Sequence, residues 1–161
     1  MSTKFQVVIG RSEYMDISDI ALEVPAKIDT GAFRSSIHAR DIEVKEENGK
    51  PVLKCNLLGH PCSPVLRAFK TSEFSQVNVT SSFGKEETRY LVTLKIKLGP
   101  KVFRTPFTLA DRSNNLFPIL AGRTLLKNRY FVDVSKSNVN RLKLKESFGV
   151  NKPEDAEDLE D

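Results

Sequence analysis

Two cysteines, Cys55 and Cys62, are too few for a disulfide framework and are expected to be free thiols in a reducing compartment. No apolar run approaches the ~20 residues that span a bilayer. The first residues, MSTKF, lack the basic region, apolar core and cleavage site of a secretory signal, so a cytoplasmic location is expected and no membrane partner. No glycine-rich loop ends in Gly-Lys-Ser or Gly-Lys-Thr, so no phosphate cradle of that kind is encoded. No internal repeat is evident. Cys55, His60 and Cys62 match no familiar zinc spacing, and a turn at His60-Pro61-Cys62-Ser63-Pro64 explains them better; neither a metal nor a cofactor is expected.

What remains is an ordinary globular composition, 39% apolar and 29% charged, enough for one domain over residues 1–150. The formal charge of +4 hides an uneven distribution, because six carboxylates lie in residues 153–161 and leave 25 basic against 15 acidic residues elsewhere. Residues 151–161 are therefore read as an acidic disordered tail. A basic body suits an acidic peptide or nucleic acid, although a merely solvated basic surface is commonest; nucleic acid is the less expected partner.

The pattern is that of an all-β domain. Tyr90, Val92, Leu94, Ile96 and Leu98 alternate with Arg89, Thr93, Lys95 and Lys97, which predicts a half-buried strand. Further strands are predicted over residues 5–10, 24–29, 36–44, 52–57, 102–109 and 130–134, with Asn48-Gly49 as a hairpin turn and residues 13–23 as an acidic loop. Residues 123–128 suit a short helix at most.

The chemistry centres on Ile28-Asp29-Thr30-Gly31-Ala32. Hydrolysis of an amide by carboxylates needs two that share one proton, one acting as base toward water and the other as acid toward the carbonyl. Asp29 supplies one. Gly31 lets a symmetry-related loop approach, Thr30 can hydrogen-bond across to that loop, and Ala32 withholds the hydroxyl that would lower the carboxylate pKa, which favours activity nearer neutral pH. An Asp-Thr-Gly string is by itself more often an ordinary turn. A second element adds weight: Phe117-Pro118-Ile119-Leu120-Ala121-Gly122-Arg123, an apolar run closed by Gly-Arg.

Together these segments resemble the bacterial retropepsin-like aspartic endopeptidases, often labelled ATP-dependent zinc proteases and associated with ATP-grasp ligases of the ribosomal-modification type. The resemblance rests on Val8-Ile9-Gly10, residues 26–39 (AKIDTGAFRSSIHA), 80–92 (TSSFGKEETRYLV) and 119–135 (ILAGRTLLKNRYFVDVS). It implies an acid-protease barrel with one lobe per chain, Asp29 as the catalytic residue, and Thr30, Gly31, Ala32, Gly122 and Arg123 supporting its loop. Phe33 stands where relatives commonly carry a basic residue, and Ala121 where a second leucine is usual. Arg123 lacks the acidic partners seen in viral relatives, leaving Asp133 or Asp41 as candidates.

A single Asp-Thr-Gly implies that the second carboxylate comes from another copy, in a twofold dimer. Only residues 140–145, where Leu142 and Leu144 alternate, suggest a C-terminal interface strand. Ser82, Phe83 and Gly84 are candidates for a flap tip, and Arg89 and Tyr90 for substrate contacts. Ser35, Ser36 and His38 make a poor serine–histidine dyad without an orienting acid. The expected activity is peptide-bond hydrolysis, on substrates that include acidic extensions made by an associated ligase; the rival is a barrel that binds a peptide for such a ligase or for the ribosome without cleaving it. A metal-dependent hydrolase is a third, weaker reading.

Overall fold

The computed structural model describes residues 6–80 and 83–149. Its ordered elements are β1 (Val7–Gly10), β2 (Ser12–Ile17), β3 (Ala21–Ile28), β4 (Ser35–Glu47), β5 (Lys50–His60), β6 (Ser63–Thr71), β7 (Phe74–Thr80), β8 (Glu86–Leu98), β9 (Lys101–Ala110), β10 (Ile119–Ala121), α1 (Arg123–Leu126), β11 (Tyr130–Asp133) and α2 (Arg141–Phe148).

Six strands close a barrel in the order β10, β3, β2, β8, β9, β4 and back to β10. Closure depends on the three-residue β10, which runs parallel to β3 (Ile119 beside Ala26) and antiparallel to β4 (Ile119 beside Ile37). Interior side chains come from every stave, among them Met15, Ile17, Val24, Ile37, Ile96, Phe107 and Ile119, all fully buried. The alternation read in β8 is observed: Val92, Leu94, Ile96 and Leu98 are buried while Thr93, Lys95 and Lys97 are exposed.

Two arms leave the barrel. β4 outruns it, pairing with β9 and β10 through residues 35–38 and with β5 from Ala39 onward, past a bulge between Arg40 and Glu43. Asn48 and Gly49, both at positive φ (54° and 77°), turn β4 into β5 as the Asn-Gly signal predicts. The turn at Pro61 and Cys62 then leads into β6. The other arm is the hairpin of β7 and the outer half of β8.

Several expectations are corrected. Residues 13–23 are not a loop: β2 runs from Ser12, with Ser12, Met15 and Ile17 inward and the carboxylates of Glu13 and Asp16 outward, so the acidic residues mark a solvent face. No strand was expected in residues 63–80, yet β6 and β7 lie there; both are edge strands with few buried side chains, hence no clean alternation. Residues 140–145 do not form a strand. The Asn140 side chain caps α2 by accepting from the Lys143 N–H (3.1 Å), and Leu144 and Phe148, one turn apart, pack on Leu116, Phe117 and Val139. Leu142 faces outward, so this segment offers no interface strand. Ser82 and the acidic tail lie outside the described residues.

Candidate active site

The Asp29 loop is the link between β3 and β4, and its backbone is fastened to the second motif. The Asp29 N–H donates to the Ala121 carbonyl (2.9 Å), the Arg123 N–H to the Ala32 carbonyl (2.8 Å) and the Thr124 N–H to the Phe33 carbonyl (2.9 Å). Between them the Gly122 N–H donates to the Ser35 hydroxyl (3.0 Å). A β-carbon at Gly122 would sit 2.5 Å from the Arg34 carbonyl oxygen and 2.9 Å from that of Ala32, so only glycine admits this approach. The second motif therefore braces the loop from behind, as its pairing with the first suggests.

Asp29 itself is half-buried, and its Oδ1 accepts from the Gly31 N–H (2.9 Å), which fixes the carboxylate at the mouth of the loop. Within the protomer a β-carbon on Gly31 would meet only that oxygen, at 3.2 Å. Neither Asp133 nor Asp41 pairs with Arg123: they are held by Ser135 and Asn56. Instead Arg123 Nη1 donates to the Thr30 carbonyl (3.1 Å), and its guanidinium lies 5.9 Å from the centre of the Phe33 ring. Phe33 takes the place of an acidic partner by offering a π face.

The loop separates two hollows, and Phe33 lines both. One, of about 1050 Å³, is shared by Thr30, Arg123, Leu126 and Tyr130 to Val132. Phe131 there is 60% exposed and Phe33 57%, and Val8, 57% exposed, is the strand partner of Phe131. The other, of about 440 Å³, runs from Gly31 and Ala32 under β7, with Asn78, Val79 and Thr80 as one wall. Three guanidinium groups border it, from Arg34, Arg89 and Arg112.

Of the remaining residues singled out in the sequence, Arg89 reaches this cleft while paired with Glu87 (2.5 Å). Tyr90 points to the core, edge-on to Phe74 at 5.9 Å, and does not line the cleft. Phe83, 95% exposed, and Gly84, at φ 76°, stand at the end of the β7–β8 hairpin. Ser35, Ser36 and His38 do not form a dyad: Ser35 accepts from the Gly122 N–H, while Ser36 and His38 both accept from Arg112, through its guanidinium and its backbone N–H.

No common spacing along the chain marks the cluster that links Ser36 and His38 to His60 through Arg112. His60 Nε2 lies 2.9 Å from the Arg112 carbonyl and 2.8 Å from that of Asn115, while its Nδ1 accepts from the Cys62 N–H (3.0 Å). Carbonyls only accept, so the proton sits on Nε2 and the ring is neutral. Burial pushes the His60 pKa down to about 4. His38 Nδ1 accepts from the Arg112 N–H (2.8 Å), and burial lowers its pKa as well. The two rings meet edge to face at 5.3 Å. Both thiols are raised by burial, Cys55 to about 11 and Cys62 to about 12, so neither is a ready nucleophile at neutral pH.

Among known structures the chain is similar to a protein of unknown function from Legionella pneumophila, 30% identical, with a TM-score of 0.65 over 81% of this chain and 95% of that one. Two curated proteins named probable alpha-L-glutamate ligase are also similar. The one from Shewanella pealeana is 33% identical over 81% of this chain, and the one from Shewanella halifaxensis 30% identical over 89%. The chain spans only 29% and 32% of those two proteins, so the ligase name describes much longer molecules. The family model of the retropepsin-like aspartic endopeptidase RimB matches residues 8–143, a span that holds the Asp29 loop, its Gly122 brace and every barrel strand. The chain belongs to this RimB-like, retropepsin-like family.

Proposed function

We propose that the protein is an aspartic endopeptidase in which Asp29 of two copies share a proton across a twofold axis and activate the attacking water. The observation that carries this reading is the construction of the loop: every main-chain bond described above ties it to its own barrel, yet the carboxylate stays at the surface, and the chain has one such motif. One Asp29 then acts as base toward water and the other, protonated, as acid toward the carbonyl. The rear brace keeps both at fixed distance from the scissile bond.

The cleft under β7 is the substrate path in this reading. β7 pairs with β8 along one edge only among the described residues, so an extended peptide can add to its free edge by main-chain hydrogen bonds, with the β7–β8 hairpin as cover. The basic body, and relatives named as glutamate ligases, favour acidic peptides as substrates. The second copy rests on the hollow beside Thr30, where Phe33, Phe131 and Val8 are exposed together.

A second reading draws on the ligase names: the domain holds a peptide for a ligase and does not cut it. Incubating the wild-type protein and Asp29→Asn with glutamate-rich peptides at neutral pH, with mass spectrometry of the products, separates the two. The protease reading expects fragments from wild type and none from Asp29→Asn, with peptide affinity retained. Intact peptide in both samples, bound but uncut, would favour the second reading.

A further inference from the structure

The outer face of β8 and β9 carries an unbalanced rung. Lys95 and Arg104 stand directly opposite each other in the ladder, and Lys97 is the next residue of β8 on the same face. All three are exposed, and their side chains have no ion pair or hydrogen bond among the described residues. Like charges facing across an antiparallel pair repel, so this rung lowers stability slightly. Asp16 is the register partner of Lys97 on β2, but its carboxylate accepts from the Glu23 N–H (2.8 Å) instead of pairing with the lysine.

The place of these cations on the barrel matters. Side chains alternate across a strand, so Leu91, Thr93, Lys95 and Lys97 share one face of β8, opposite Thr108, Pro106, Arg104 and Val102 of β9. Thr108 also lines the cleft under β7. Cleft and cations therefore lie on one continuous surface, with Arg104 four residues, about 13 Å, along β9 from Thr108. Lys95 and Lys97 are about 7 Å apart, which is the spacing of alternate side chains in an extended peptide. No aromatic side chain occupies these rungs, so the face lacks the stacking platform on which single-stranded nucleic acid relies.

We propose that Lys95, Lys97 and Arg104 form an accessory site for an acidic peptide, engaging carboxylates of the segment that leaves the cleft. The inference rests on the reading of that cleft as the peptide site. It does not depend on cleavage.

The test measures binding of two fluorescently labelled oligoglutamates to the Asp29→Asn protein at low ionic strength. One has four residues, too short to fill the cleft and also reach the rung, and the other has ten. Extra binding registers favour the longer peptide in every variant alike, so the reading is the change in the ratio of the two affinities. In Lys95→Gln/Arg104→Gln the ratio should fall by about fivefold, as expected from losing two exposed ion pairs, with the short peptide bound as before. Lys50→Gln/Lys143→Gln removes the same charge from exposed side chains elsewhere and should keep the ratio. Circular dichroism screens for folding, and if the double variant does not fold, Lys95→Gln alone decides, with about half the effect on a logarithmic scale.

A ratio that survives the loss of Lys95 and Arg104, or that the control variant lowers as much, overturns the proposal. So does an oligodeoxythymidylate of ten nucleotides that binds through these residues more tightly than the ten-residue peptide, an outcome that would assign the face to nucleic acid. Cleavage of the longer peptide by the wild-type protein is followed separately. A ratio lowered as expected, without fragments, would support the accessory site and sink the protease reading. Fragments together with an unchanged ratio would do the reverse.

Discussion

Acidification should destabilise this protein well before its carboxylates titrate, and the cause is His60. The ring is 1% exposed, donates from Nε2 to two carbonyls and accepts at Nδ1 from the Cys62 N–H. Protonation at Nδ1 would set two donors face to face in a buried site. Its pKa falls from 6.5 in the unfolded chain to about 4 in the fold, so between these values the unfolded state holds the extra proton. Stability therefore rises with pH across this window and is lost as pH falls through it. Full development is on the order of 3 kcal/mol, and moving from pH 7.5 to pH 5 should remove about 2 kcal/mol. His38 acts in the same direction, and these two are the chain's only histidines. For a chain of this size about 2 kcal/mol lowers Tm by roughly 4–8 °C. Thermal unfolding of wild type and His60→Gln at both pH values provides the assay. The variant starts less stable, having lost a satisfied ring, but its Tm should depend less on pH. Parallel pH dependence in the two proteins, or a flat wild-type curve down to pH 5, would refute the assignment of the acid limb to this ring.

Two further outcomes are expected. Gly122→Ala should cost at least about 2 kcal/mol in urea denaturation, because its new methyl meets the backbone of Arg34 and Ala32 and cannot be relieved by a side-chain rotation; a loss within experimental error would mean that the loop is not braced as described. Phe131→Asp should leave the monomer folded, the ring being 60% exposed, but should shift sedimentation measured with saturating peptide toward the monomer and reduce any peptidase activity in parallel; unchanged sedimentation under those conditions would remove this face from the interface.

The barrel was legible because its staves obey simple rules: Val92 to Leu98 alternate, Asn48-Gly49 turns a hairpin, and Gly122 follows an apolar run that must pack closely. The Asp29 loop was legible as a link between strands because Asp-Thr-Gly suits a turn. What escaped was set by tertiary context. β2 was hidden because a strand with one wet face carries charges as readily as a loop, and Glu13 and Asp16 suggested the latter. α2 was misread because Leu142 and Leu144 alternate over too short a span to reveal the helical spacing of Leu144 and Phe148. The partner of Arg123 was sought among carboxylates although an aromatic ring lay four residues from Asp29. His38, His60 and Arg112 are spread over three segments with no common spacing, and the pairing of β4 with β5, β9 and β10 assembles them.

The energetics of the proposed pairing constrain how the enzyme would work. Phe33, Phe131 and Val8 bury part of their surface already, so covering the rest gains roughly 1–2 kcal/mol for each side chain, and twofold symmetry counts each one twice. Association costs about 4–15 kcal/mol before any such gain appears. These terms nearly cancel, which argues for a weak dimer in the absence of peptide. A peptide lying across two clefts touches both copies and adds its own contacts to the balance, so substrate would assemble the site that cuts it. In the proposed mechanism, exposure of Phe33 beside the Asp29 loop would then have a use: an isolated protomer brings only one Asp29 and would be inert, and hydrolysis would be confined to the time when a peptide bridges two copies.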